Sequence, residues 1–144
     1  MGVLFSIIAG AIMSLQGVIN TGLSKKIGLY ESNMFVQGTA FIFSLIAVVF
    51  LGRGSFSGLM DISKIYWIGG FLGLVITITV MLSISNLGPA TAVLIILISQ
   101  LIIASLIEYF GLFNTDRLIF HWSHYLGLAL MITGVVLFKW NFQK

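Results

Sequence analysis

Ala90–Phe113 reads ATAVLIILISQLIIASLIEYFGLF. From Ala90 onward no ionisable side chain occurs until Glu108, and the only strong polar group before it is Gln100. At ~1.5 Å per residue, a helix over 90–108 rises roughly 28 Å, close to the thickness of a bilayer's hydrocarbon core. A strand of a membrane barrel would alternate polar and apolar residues, and this run does not. In lipid the backbone must satisfy its own hydrogen bonds, so an unalternating run of this length is predicted to be a membrane-spanning helix. Polar and ionisable groups inside such a span are costly and mark functional positions, which singles out Gln100 and Glu108.

The whole chain has the same character. Of its 144 residues 59% are hydrophobic and 8% charged, against about 25% charged in a soluble domain. That leaves too little polar surface to cover a globule in water, so the chain is predicted to be an all-α integral membrane protein forming one small domain over 1–144. Cysteine is absent, which excludes disulfides, thiolate metal sites and cysteine nucleophiles. The net charge of +3 comes from scattered residues, and nothing in that pattern suggests nucleic-acid binding. The first apolar run starts at Val3 with no basic stretch before it and is followed by Ser24-Lys-Lys; it is expected to be a retained span rather than a cleaved signal.

Outward from the central run, four more spans are predicted, giving five at 3–23, 33–51, 65–84, 90–108 and 124–140. In the first, Gln16 and Asn20 lie one turn apart and share a face, either bonding to a neighbouring helix or lining a solute path. Asn33 and Gln37 repeat that spacing in the second. The third carries Gly69 and Gly73 as G-x-x-x-G, a close-packing face, and Tyr66 and Trp67 at its start suit the interface. Asn86-Leu-Gly-Pro89 is expected to turn the chain into an antiparallel hairpin, with Pro89 opening the next helix where its missing N–H does no harm. The fifth span has Gly127 and Gly134 one heptad apart, also read as packing positions. Ser24–Ser32, Gly52–Lys64 and Tyr109–Ser123 are expected connections.

With five spans the termini fall on opposite sides. One side then holds Lys25, Lys26, Lys139 and Lys144, and the other Arg53, Lys64 and Arg117. Orientation follows Lys/Arg asymmetry; the count of four against three leans to an N-terminus outside and a C-terminus inside, and so small a margin leaves insertion in both orientations open. Oppositely oriented copies would form an antiparallel dimer, reproducing the inverted repeats that enclose a transport site near the midplane. A paralogous half of opposite orientation is the variant of this scheme.

Several segments carry a family likeness. Leu15–Leu23 (LQGVINTGL), Leu87–Ala92 (LGPATA), Ser99-Gln100-Leu101, Glu108–Phe113 (EYFGLF) and Gly127 through Gly134-Val-Val-Leu137 together resemble, in order and spacing, the YdcZ-type half-size proteins of the drug/metabolite transporter superfamily. The likeness covers nearly the whole chain. It implies a five-helix protein of the bacterial inner membrane, equivalent to half of a ten-helix inverted-repeat transporter. Two positions depart from the family pattern: Ser99 stands where a glycine precedes the glutamine, and Glu108-Tyr109 where aspartate and histidine are usual.

The expected function is therefore ion- or proton-coupled secondary transport of small organic molecules by a homodimer or a heterodimer with a paralogous half, surrounded by membrane lipid. Gln16, Asn20, Gln37, Gln100 and Glu108 are the candidates for the solute or ion path, with Glu108 taking a proton or cationic group. The competing expectation for Glu108 is interfacial pairing with Arg117 or a lipid headgroup. A small dual-topology channel and a non-transporting accessory subunit are the alternatives for the whole chain. An enzyme is not expected, because no nucleophile–base pair is evident. No cofactor motif occurs, and His121 and His124 lack the further ligands that a metal site needs.

Overall fold

The structure is a computed structural model that describes residues 1–60, 62–117 and 119–140. It contains five long helices: α1 (Gly2–Ile27), α2 (Leu29–Leu51), α3 (Ile68–Leu87), α4 (Pro89–Phe110) and α5 (Trp122–Trp140). No strand occurs among the described residues. Each helix, with α3 counted from the 3-10 turn at Lys64, is long and apolar enough to cross a membrane. This is the five-helix membrane fold that the sequence predicts. The helices group into two compact units, Met1–Asn86 and Leu87–Lys144.

In the first unit the connection between α1 and α2 is a single residue. Ser24–Ser32, expected to be a polar connection, is helical on both sides of Gly28. Gly28 has φ 102 and ψ 158, a region that only glycine occupies freely. Its N–H donates to the Ser24 carbonyl at 3.0 Å, and its own carbonyl accepts from Ser32 N–H at 3.1 Å, so one residue closes α1 and opens α2. Lys25 and Lys26 fall in the last turn of α1 and Glu31 in the first turn of α2, each sign at the helix end whose dipole it complements. The polar residues that suggested a loop are thus helix-end residues. A 3-10 turn at Lys64–Trp67 leads into α3 with Tyr66 and Trp67 exposed.

In the second unit Pro89 is the first residue of α4, after Gly88 at φ 77. Gly111 ends α4 in the left-handed conformation, and its N–H donates to the Glu108 carbonyl at 3.2 Å. A tight turn through Phe113 and Asn114, both at positive φ, leads toward α5. At the start of α5 the His121 N–H donates to His124 Nδ1 at 3.2 Å, as a capping box satisfies the first free amide of a helix.

The interior of the first unit is not a hydrophobic core. Among the described residues, those buried in it are Gly17, Asn20, Thr21, Ser32, Asn33, Met81 and Ile84, of which four are polar. The large apolar side chains point outward, including Phe41, Phe43, Phe50 and Phe71. Lipid solvates them as well as a core would, so helices in a membrane associate through small residues and polar bonds instead.

Candidate functional site

The polar interior lies where the end of α1, the start of α2 and the second half of α3 meet. Gly17 sets the approach of α1 to α3: a methyl group in its place would come within 2.8 Å of Ile84 Cδ1 and 3.3 Å of Val80 Cγ1. One turn later, Asn20 and Thr21 are buried on the same helix. On α2, Ser32 is fully buried, and its hydroxyl lies 3.0 Å from the Leu29 carbonyl and 3.4 Å from Met81 Sδ on α3. Further along α2, Gln37 Nε2 donates to Thr77 Oγ1 at 3.4 Å. Gly73, one turn before Thr77, leaves room for that amide, which would lie 3.8 Å from a methyl group at that position.

The hydroxyl protons of this cluster are directed into the backbone. Thr21 Oγ1 donates to the Gly17 carbonyl at 2.7 Å and Thr77 Oγ1 to the Gly73 carbonyl at 2.9 Å, a local bonding that lets hydroxyls sit in a helix out of water. What remains unsatisfied is the carboxamide oxygen of Asn33. It is 4% exposed, and its Oδ1 is sealed from solvent without a hydrogen-bond partner among the described residues. An acceptor left in that state carries a desolvation penalty of ~1–3 kcal/mol. Every charged side chain described in this unit, Lys25, Lys26, Glu31, Arg53 and Lys64, is exposed. The cluster is therefore polar and uncharged.

The five path candidates divide. Asn20 and Gln37 belong to the cluster. Gln16, expected to share a lining face with Asn20, is exposed, as are Gln100 and Glu108 on α4. Of the four glycines expected to pack helices, only Gly73 has a neighbour; methyl groups at Gly69, Gly127 and Gly134 would meet no atom within 4 Å. Asn33 was paired with Gln37 in the sequence but was not named as a path residue, and Ser32 and Met81 were not singled out at all. Asn33 had a legible signal, since it precedes Gln37 by one helical turn as Gln16 precedes Asn20. Ser32 and Met81 had none, because their role depends on which faces of α2 and α3 meet.

The second unit holds a groove of its own. α4 and α5 border a groove of about 440 Å³ with Leu101, Ile102, Leu106 and Leu128 among its aliphatic walls. Tyr109, Phe120 and Tyr125 line the same groove, with Phe120 5.9 Å from Tyr109 and 5.8 Å from Tyr125 between ring centroids. Ser105 and His124 also line the groove, so its mostly apolar wall carries a few polar groups. The buried amides of the first unit can discriminate, because a buried polar group rewards only a matching partner. No group of three or more potential metal-ligating side chains occurs among the described residues.

Compared with known protein families, residues 1–137 match the family described as "Putative inner membrane exporter, YdcZ". The chain belongs to the YdcZ family. Neither the curated proteins nor the solved structures contain a match to it. The family description, with five helices of membrane-spanning length, makes this YdcZ protein a multi-pass transporter of the inner membrane. It points to transport rather than catalysis, and five helices fit a half-size protein of the drug/metabolite transporter type.

Proposed function

We propose that this YdcZ protein is an ion- or proton-coupled secondary exporter of small organic molecules that works as a dimer of oppositely oriented chains. The observation that supports this reading is the place of Gln100 at the middle of α4, where its own unit, taken by itself, leaves it uncovered. A carboxamide at the centre of a span is too polar to face lipid, so another protein surface must cover it. The exposed Gln16 on α1 makes the same demand. We assign that cover to a second copy because the near balance of Lys and Arg between the two sides leaves a chain free to insert either way. Asn20 and Gln37 then contribute to the solute path, and Glu108 exchanges the coupling proton or cation.

The chain has no cysteine to remove, so single cysteines at Tyr30 and Ser57 report orientation directly. Tyr30 lies at the α1–α2 turn and Ser57 beyond the other end of α2. Each site is expected to label from both faces of the membrane, and a disulfide scan is expected to trap dimers across Gln100. Labelling of each site from one face only, with the chain expressed alone, sinks the oppositely oriented dimer.

A further inference from the structure

We infer that the Asn33 carboxamide is the solute anchor of this protein, and that the solute group it takes is neutral and hydrogen-bonding, a hydroxyl or an amide, rather than an ion. This rests on the export reading above and names the class of solute.

Asn33 Oδ1 is buried and without a partner. The nearest sequence neighbours on its helix cannot supply one: the Ser32 hydroxyl faces the Leu29 carbonyl and Met81 sulfur, and Gln37 already donates to Thr77. Thr21 and Thr77 direct their protons to backbone carbonyls. The cluster therefore holds an acceptor that none of its own donors serves. Water or a solute donor would complete it. The absence of charge decides which solute. An ammonium or carboxylate brought among these side chains would lose its hydration and meet no opposite charge among the described residues of the cluster, since Lys25, Lys26 and Glu31 are all exposed. A hydroxyl or amide loses little on entry and gains the hydrogen bond that Asn33 lacks. Asn20, 6% exposed on the facing helix of the α1–α2 hairpin, offers a second carboxamide with both a donor and an acceptor.

Two properties of Asn33 then diverge under mutation. If Asn33 only held helices together, an apolar replacement would weaken the fold. If its carbonyl waits for a solute, the near-isosteric Asn33→Leu removes an unsatisfied polar atom and raises stability while it lowers transport.

The test uses the full-length chain in proteoliposomes with three radiolabelled six-carbon probes that differ in charge: sorbitol, glucosamine and gluconate. Sorbitol is expected to move fastest, and Asn33→Leu is expected to slow it by about tenfold, the equivalent of one buried hydrogen bond, with an unchanged or higher unfolding temperature. Asn33→Asp, which places a charge at the anchor, is expected to shift preference toward glucosamine. Faster movement of glucosamine or gluconate in the unaltered protein overturns the neutral-solute assignment and leaves the export reading standing. Sorbitol movement unaffected by Asn33→Leu, or a lower unfolding temperature in that variant, overturns the anchor. If none of the probes moves, the anchor falls, and the export reading is decided separately by the orientation experiment.

Discussion

The side-chain amide of Gln37 on α2 donates to the hydroxyl of Thr77 on α3 at 3.4 Å, and that hydroxyl donates onward to the Gly73 carbonyl at 2.9 Å. The chain of two bonds ties α3 to the α1–α2 hairpin through side chains that would be misplaced against lipid. The first link is long for an N–H···O bond, so its contribution belongs at the low end. Thr77→Val is expected to lower stability by ~0.5 kcal/mol, the scale of interhelical hydrogen bonds in membranes. Gln37→Leu should cost a similar amount, and the double variant little more than either alone. Unfolding titrations of the four proteins check this, and fully additive losses would show that the pair is not coupled.

Gly17 makes a sharper case, because its effect depends on the size of the replacement. The atom nearest an added methyl is Ile84 Cδ1 at 2.8 Å, the far end of a flexible side chain. Gly17→Ala is therefore expected to be tolerated within about 1 kcal/mol after Ile84 shifts. Gly17→Leu has to displace Val80 as well, and overpacking of this kind costs ~1–3 kcal/mol. Equal unfolding midpoints for the Ala and Leu variants would mean that α1 and α3 are not held at this distance in the membrane.

The fold class was legible from the Ala90–Glu108 run alone, because bilayer thickness fixes how long an apolar helix must be. The connections were less so. Lys25, Lys26 and Glu31 read as a polar loop, yet a helix protruding into the interface tolerates the same residues, and only Gly28 betrays the break. Of the path candidates, Asn20 and Gln37 lie in the polar cluster, since i, i+4 spacing of carboxamides reports a shared face. Gln16 shares that spacing with Asn20 and is nevertheless exposed, because a one-turn offset defines a stripe without saying how far along it the neighbouring helix extends. Ser32 and Met81 meet across 49 residues of sequence, and no local pattern encodes such a pairing.

Gly28 tests the one-residue turn. Any side chain there has to adopt φ 102 with an extended ψ, at ~1–3 kcal/mol for a residue other than glycine. A Cβ would also collide with the Glu31 carboxylate. Gly28→Ala is expected to destabilise by ~1–3 kcal/mol, and adding Glu31→Ala should recover only the part due to the collision. Thermal unfolding of the single and double variants measures both parts. Complete recovery in the double variant would assign the whole effect to the carboxylate and none to the backbone.

Glu108 stands in the last turn of α4, exposed, with its backbone carbonyl accepting from Gly111 N–H. That is an unfavourable place for an anion. The C-terminal end of a helix carries partial negative charge, so a carboxylate there costs ~0.3–1 kcal/mol relative to a neutral side chain. Nothing in the packing of the second unit calls for it, since the side chain lies outside the α4–α5 groove. Stability and function therefore make opposite demands on this position. If Glu108 exchanges the coupling ion, Glu108→Gln should leave the unfolding temperature unchanged or slightly raised while it abolishes uptake driven by a proton or cation gradient. Glu108→Asp, which keeps the charge and shortens the arm, should retain part of the coupling. The measurement is solute movement in proteoliposomes with and without an imposed gradient, alongside unfolding of each variant. Gradient-driven movement that survives in Glu108→Gln would remove Glu108 from the coupling path and leave it as an interfacial residue, paired with Arg117 or a headgroup. Loss of transport together with loss of stability would mark it as structural, against the dipole argument.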